Sequence, residues 1–139
     1  RNPIIAHEFL GTNLNGKDVI VVDDIIASGE SMMDVARKIR EMGARRVFLF
    51  ASFGLFCEGL EKIDEAYENG YFDYLFTTNL VYRSPELLSR KWFVEVNLTK
   101  YVALLIDTLN HDRSISRLLS NAEKITNLQQ AHMKHTEQN

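Results

Sequence analysis

The stretch that decides the fold is VIVVDDIIASGES, residues 19–31. Its first four residues are apolar and mostly β-branched. They predict a strand, and the lack of alternation indicates that both faces are buried, as in a parallel sheet covered by helices. Asp23 and Asp24 follow where this strand should end, and a small-residue loop then leads into a helical pattern ending at Gly43. This order predicts a ligand site at the carboxyl end of a parallel strand.

The chemistry of the loop favours a phosphate. Small residues let the backbone approach an anion, and the positive end of a helix dipole stabilises a negative charge by roughly 0.3–1 kcal/mol. The hydroxyls of Ser28 and Ser31 can add hydrogen bonds. Asp23 and Asp24 would repel a phosphate, but they can accept hydrogen bonds from vicinal hydroxyls or hold a divalent cation. A sugar phosphate satisfies both requirements.

A purely structural interpretation explains the same residues one at a time. Ser31, with Asp34 three residues later, resembles an N-cap with a near-capping box, and Asp23-Asp24 could form an Asx turn. The fixed order of strand, acidic pair, loop and helix favours the ligand site. A nucleoside-triphosphatase motif does not fit, because no Gly-rich loop with lysine precedes residue 19. A dinucleotide-binding motif does not fit either, because it needs three glycines and Gly29 is the only glycine of the loop.

Composition indicates one ordinary globular domain. The chain has 139 residues, of which 45% are hydrophobic and 25% charged. A net charge of −3 gives no reason to expect nucleic-acid binding. Neither a membrane-spanning run nor a signal peptide is recognisable, so we expect a cytoplasmic protein. The single cysteine, Cys57, excludes an internal disulfide.

The rest of the chain continues the alternation of strands and helices, which predicts an α/β fold with a mostly parallel sheet flanked by helices. Further strands are predicted at residues 4–10, 47–51, 71–77 and 91–96, and helices at residues 31–42, 58–69 and 98–109, with a short helix near residues 85–90. We expect the apolar stripe of the last long helix, and also Trp92 and Phe93, to pack in the core.

Two polar groups are open to interpretation. Arg45 and Arg46 precede a strand, so we expect a solvated pair at the amino ends of the strands, away from any ligand. Thr77, Thr78 and Asn79 follow a strand and could line the pocket or simply form a polar strand end.

Four segments carry a resemblance to a known family. VVDDIIASGES, residues 21–31, resembles the phosphoribosyl-pyrophosphate binding motif shared by type I phosphoribosyltransferases and ribose-phosphate pyrophosphokinases. ASFGLFCEG at residues 51–59, FTTNL at residues 76–80 and SISRLL at residues 114–119 resemble segments of the pyrophosphokinases. We therefore interpret residues 1–120 as a C-terminal phosphoribosyltransferase-like domain that is truncated at its N-terminal edge. Residues 121–139 are then a polar tail, either a frayed helix or disordered.

The resemblance implies a function. The pyrophosphokinases transfer the pyrophosphoryl group of ATP to the anomeric hydroxyl of ribose 5-phosphate, with Mg²⁺, and release phosphoribosyl pyrophosphate and AMP. Carried over by position, Asp23 and Asp24 would meet the ribose hydroxyls and could hold the metal. The residues that would hold the 5-phosphate are Ala27, Ser28, Gly29, Glu30 and Ser31. The resemblance also implies a homo-oligomer, a basic catalytic loop upstream of Arg1 and an ATP-binding domain outside this chain, so we expect the chain alone to bind sugar phosphate without turning over ATP.

Three positions depart from the family pattern. Ala27 stands where the family has aspartate, Glu30 where it has glycine, and Phe53 where it has histidine. Two like unit charges 4 Å apart repel by about 1 kcal/mol even in water, so Glu30 should weaken phosphate binding unless its side chain points outward. Two alternatives therefore stay open: a phosphoribosyltransferase that uses phosphoribosyl pyrophosphate, and a non-catalytic regulatory homologue of the synthetase.

Overall fold

The protein is built from alternating strands and helices. The structure is a computed structural model, and it describes residues 13–116, 122 and 125–130. The elements in chain order are β1 (Asp18–Ile26), α1 (Glu30–Glu41), β2 (Arg46–Gly54), α2 (Glu61–Glu68), β3 (Tyr74–Thr78), α3 (Pro85–Leu88), β4 (Phe93–Val96) and α4 (Thr99–Asn110). This order confirms the predicted α/β class.

The four strands form one parallel sheet in the order β1-β2-β3-β4. Val21 pairs with Leu49, and Leu49 pairs in turn with Leu75. Because all strands run the same way, the segments that follow β1, β2 and β3 meet at one edge of the sheet, which we call the carboxyl edge. The amino edge is the opposite one, where the strands begin.

The hydrophobic core lies on one face of the sheet. Val47, Leu49 and Leu75 are completely buried, and they belong to one cluster with Ala36 of α1 and Ile63 of α2. Burying a valine or leucine side chain contributes about 1.5–3 kcal/mol. This layer of helices on the sheet therefore fixes where the ends of the strands lie.

The predicted packing role of Trp92 is confirmed. Its side chain is 2% exposed, and its ring meets Phe72 edge-on at 5.9 Å between centroids. The indole N–H donates to Asp64 Oδ1 at 2.7 Å, and Arg90 Nε donates to the same carboxylate at 3.0 Å. These contacts tie the start of β4 to α2.

The second face of β1 departs from the prediction. Val19 and Val21 pack against the core, whereas Ile20 and Val22 are 64% and 75% exposed. The expectation that this strand is buried on both faces is therefore wrong. A run of apolar, β-branched residues favours a strand, but it does not show whether one or both faces of that strand are covered by other elements.

The chain divides into two compact units between Leu98 and Thr99, and each is described by itself. The second unit contains α4, which has no buried residue, contrary to the predicted packing of its apolar stripe in the core. Residues 125–130 are helical. The predicted strand at residues 4–10 and most of the polar tail lie outside the described residues.

Candidate functional site

The segment between β1 and α1 makes a tight turn around Gly29. This residue is the N-cap of α1 and has a φ of 89°, in the left-handed region that favours glycine. A Cβ at this position would lie 3.1 Å from Ile63 Cδ1, so the Ile63 side chain would have to shift by a few tenths of an ångström to accept it. The first intrahelical hydrogen bond runs from Met33 N–H to Gly29 O at 2.9 Å. The positive end of the α1 dipole therefore faces the loop.

The capping interpretation of Ser31 is not confirmed. Ser31 lies inside the helix, one residue after Glu30, and Gly29 caps α1 without a side-chain hydrogen bond. Asp34, the expected partner in a near-capping box, pairs with Arg37 at 3.3 Å. The backbone N–H of Glu30 donates a long hydrogen bond of 3.4 Å to Ser28 Oγ.

A concavity of about 150 Å³ opens beside this turn. Its lining combines one carboxylate with the loop backbone and two serines: Asp23, Ile25, Ile26, Ala27, Ser28, Gly29, Ser31 and Met32. Two larger concavities, of about 270 and 290 Å³, lie elsewhere on this unit. The loop concavity is the candidate ligand site because it joins a helix N-terminus to a carboxylate, and not because of its size.

The acidic pair lies within β1 and not after it. Both carboxylates are exposed, and the backbone N–H of Asp24 donates to Asp23 Oδ1 at 2.8 Å. Successive side chains of a strand point to opposite faces, which agrees with Asp23 lining the loop concavity while Asp24 does not. Within residues 13–116, no lysine or arginine forms an ion pair with either aspartate. Asp23 is thus positioned to accept hydrogen bonds from a ligand, and a contact from Asp24 stays a prediction.

The side chain of Glu30 is directed towards α2. Its carboxylate forms an ion pair with Lys62, which also pairs with Glu58 at 2.9 Å. Hydrogen bonds from the ammonium group to Glu30 and then Glu58 raise the pKa of Lys62 above its usual value. The negative charge that departs from the family pattern is therefore matched by a neighbouring cation. Sequence reasoning missed Lys62, because only the fold brings a residue so distant in sequence to the loop.

The segment after β2 braces the loop through its backbone. Leu55 N–H donates to Ile26 O and Cys57 N–H donates to Ala27 O, each at 2.8 Å. Phe56, between them, adopts a φ of 48°, and its ring lies where a Cβ on Gly54 would come within 2.6 Å. The structure therefore supports a structural role for this part of the ASFGLFCEG segment, which stabilises the loop after β1 through backbone hydrogen bonds.

The polar residues that end β3 connect strands. Thr78 Oγ1–H donates to Ser52 O at 2.5 Å, and the Asn79 side chain donates to Asn97 Oδ1 and accepts from Leu98 N–H. Thr77 is 1% exposed. Of the two interpretations left open by the sequence, a polar strand end agrees better with these bonds than a pocket lining does.

Arg45 and Arg46 lie at the amino edge of the sheet. Both Arg45 and Arg46 bind the Asp18 carboxylate, Arg45 through two hydrogen bonds of 2.8 Å. Hydrogen bonds from Arg45 and then Arg46 lower the pKa of Asp18 far below its usual value. The prediction that these arginines lie at the amino ends of the strands is confirmed, although they are paired with Asp18 and not merely solvated.

The described part of the chain contains no group of three or more His, Cys, Asp or Glu side chains that could hold a metal ion. It also contains no helix that is both long enough and apolar enough to cross a membrane.

The protein is an α/β domain with a concavity at the carboxyl edge of its parallel sheet, beside the N-terminus of α1. The family model of the phosphoribosyl synthetase-associated domain matches residues 8–120. The chain belongs to this family, which confirms the resemblance inferred from the motifs.

Ribose-phosphate pyrophosphokinases are among the curated relatives. The enzyme of Shewanella oneidensis is 31% identical over 108 residues, which cover 78% of this chain and 33% of that enzyme. The enzyme of Pyrococcus abyssi is 44% identical over 55 residues, which cover 39% of this chain and 19% of that enzyme. The chain therefore spans a third or less of the length of these relatives.

A solved structure shares the fold. The crystal structure of phosphoribosylpyrophosphate synthetase from Mycobacterium smegmatis aligns with a TM-score of 0.64 at 18% identity, over 73% of this chain and 33% of that one. This similarity confirms the predicted fold class.

Proposed function

We propose that the loop concavity binds ribose 5-phosphate, as the sugar-phosphate site of a ribose-phosphate pyrophosphokinase. The complete enzyme would transfer the pyrophosphoryl group of ATP to the anomeric hydroxyl and yield phosphoribosyl pyrophosphate and AMP. The observation that carries the proposal is that one concavity joins Asp23 to the glycine turn at the N-terminus of α1. The names of the curated relatives support this reaction over the phosphoribosyltransferase alternative.

The two halves of the site suit the two halves of this ligand. The 5-phosphate would lie against the backbone of Ala27 to Glu30, where the α1 dipole favours an anion. The ribose hydroxyls would donate to the carboxylate of Asp23, which lines the concavity and accepts a backbone N–H within the strand through one of its oxygens. This chain's contribution to the reaction is then to bind and orient the sugar phosphate, so that the anomeric hydroxyl is held for attack.

Magnesium fits this site only with help from the ligand. Asp23 and Asp24 supply the oxygen atoms that Mg²⁺ prefers, yet neighbouring strand residues point to opposite faces, so one ion in the concavity would take one of these carboxylates. Waters and phosphate oxygens would complete its coordination. A bound Mg²⁺ would offset the charge of the phosphates during transfer.

The remaining parts of the proposal concern the complete protein. We propose that ATP binds mainly through a part of the enzyme outside this chain, that basic residues before Arg1 stabilise the transferred group, and that the enzyme is a cytoplasmic homo-oligomer. The substitutions Ala27 and Phe53 favour one second candidate, a regulatory homologue that retains the sugar-phosphate site without catalysis.

A titration of the 139-residue chain tests the binding proposal. Addition of ribose 5-phosphate should shift the backbone amide signals of residues 27–31 in a ¹⁵N-correlation spectrum, and ribose without phosphate should not. Unchanged loop signals at millimolar ribose 5-phosphate would contradict the proposal. AMP formation by the complete protein with ATP, Mg²⁺ and ribose 5-phosphate separates an active synthetase from the regulatory homologue, and the 139-residue chain alone should form none.

A further inference from the structure

Glu30 presents a problem for an anion site. It is the first residue of α1, directly after the glycine turn, and its charge therefore lies close to where an anion would bind. Glu30 does not line the loop concavity, although Ser28 and Ser31 do. Some contact must hold the carboxylate on the other side, since a glutamate at an exposed helix start has several accessible rotamers.

Helix α2 contacts the turn at two successive residues. Ile63 is completely buried and sits directly beneath Gly29, where a Cβ on the glycine would come within 3.2 Å of two of its atoms. Lys62, the preceding residue, reaches the Glu30 carboxylate and is itself anchored by Glu58 one helical turn away. The apolar contact fixes the backbone of the turn, and the ion pair fixes the direction of the side chain that follows it.

We propose that Lys62 is a positioning residue of the sugar-phosphate site: by pairing with Glu30, it keeps that carboxylate on the α2 side of the loop and offsets its charge, so that a phosphate can bind at the start of α1. This inference rests on the proposed function and adds a residue to it. Lys62 acts through Glu30 and not through a contact with the ligand. The pair is half-exposed, so its effect on the ligand is electrostatic and screened by salt.

Four variants test this role: Lys62→Met, Lys62→Arg, Glu30→Gln and the double variant Glu30→Gln/Lys62→Met. At low salt, Lys62→Met should weaken binding of ribose 5-phosphate about five-fold, the effect of one uncompensated charge some 4 Å away in water. Lys62→Arg should restore wild-type affinity, because arginine can also pair with a carboxylate. In the Glu30→Gln background, loss of Lys62 should change the affinity little, since no carboxylate is left to hold.

Lys17→Met is the matched control. Lys17 is exposed at the amino edge, so the variant removes the same charge far from the loop and should bind as the wild type does. Isothermal titration calorimetry with ribose 5-phosphate at 20 mM and 300 mM salt gives the affinities, and thermal melting checks folding. The five-fold loss should shrink at the higher salt.

The outcomes separate this inference from the proposed function. If the wild type binds neither ribose 5-phosphate nor sulfate at residues 27–31, the proposed function fails and the role of Lys62 with it. If the wild type binds and Lys62→Met binds equally well, only the role of Lys62 is overturned. The role of Lys62 would also be overturned if Lys62→Met lowered the affinity for ribose 5-phosphate equally in the wild-type and Glu30→Gln backgrounds, because Lys62 would then act on the phosphate directly.

Discussion

The two edges of the sheet use similar charged residues in opposite ways. At the amino edge, Asp18 is bound by Arg45 and Arg46, and Asp73 accepts from Arg40 at 2.7 Å and from Val47 N–H at 2.8 Å. At the carboxyl edge, Asp23 accepts only the neighbouring backbone N–H among the described contacts.

This difference shows how structural and ligand-binding carboxylates can be told apart. An aspartate whose acceptor atoms are used within the protein stabilises the fold, and one whose oxygens face a concavity remains available to a ligand. The two residues are the same amino acid in the same strand, since Asp18 and Asp23 both belong to β1, and they differ in which end of the strand they are near. The partners decide the role, and each of the following predictions tests that distinction.

The largest effect is expected for Asp23→Ala. The loss of a hydrogen bond from a sugar hydroxyl to a carboxylate costs about 1.5–3 kcal/mol, which corresponds to roughly 10- to 150-fold weaker binding of ribose 5-phosphate. Inorganic phosphate should bind as well as before or better, because a negative charge has been removed. Calorimetric titration with both ligands measures the two affinities, and an equal loss for both would mean that Asp23 does not recognise the sugar.

Asp73→Ala should reduce the stability of the protein and leave its affinity for ribose 5-phosphate unchanged. It removes the acceptor of the Val47 N–H group, and Val47 is completely buried, so the free energy of unfolding should fall by about 1–3 kcal/mol. Asp73→Asn keeps one acceptor oxygen and should lose less. Urea unfolding gives the stabilities. A large loss of ribose 5-phosphate affinity in the folded variant would break the distinction between the edges.

Gly29→Ala and Gly70→Ala compare the same backbone change at two places. Both glycines have a positive φ, of 89° and 71°, where an L-residue costs about 1–2 kcal/mol. A Cβ meets Ile63 at position 29 and nothing within 4 Å at position 70. Both variants should be less stable, but only Gly29→Ala should also bind ribose 5-phosphate more weakly. Equal affinities in the two variants would show that the turn does not shape the site.

The smallest effect is expected for Asp18→Asn. The arginines lower the pKa of Asp18 in the folded state, so its ionised form stabilises the fold above the unfolded-state value of about 3.9, and this contribution is lost as the pH falls towards the folded-state pKa. The variant should therefore be slightly less stable than the wild type at pH 7, and the difference should narrow below about pH 4. Urea midpoints measured across this range provide the check, and a constant difference would argue against it.

The sequence was sufficient for the fold class and for the location of the loop between β1 and α1. Periodicity located the strands and helices, and the small-residue turn before α1 marked the loop. The position of the acidic pair was less accessible, because β1 continues to Ile26 by pairing with β2 as far as Gly54. The length of a strand depends on its partner, and no local pattern in residues 19–26 reports it.

Contacts between distant residues account for the other differences. The choice of Gly29 over Ser31 as the N-cap of α1 follows from the left-handed turn that packs on Ile63. The pairing of Glu30 with Lys62 joins residues 32 positions apart. Both depend on how α2 is placed against the loop, which residue spacing alone does not determine.

The packing of Gly29 on Ile63 has a consequence for how the loop could evolve. Ile63 does not line the loop concavity, yet any change in its volume should move the turn that packs on it. Substitutions that reshape the concavity would therefore include interior positions as well as loop positions, and a library confined to the lining residues would leave out Ile63.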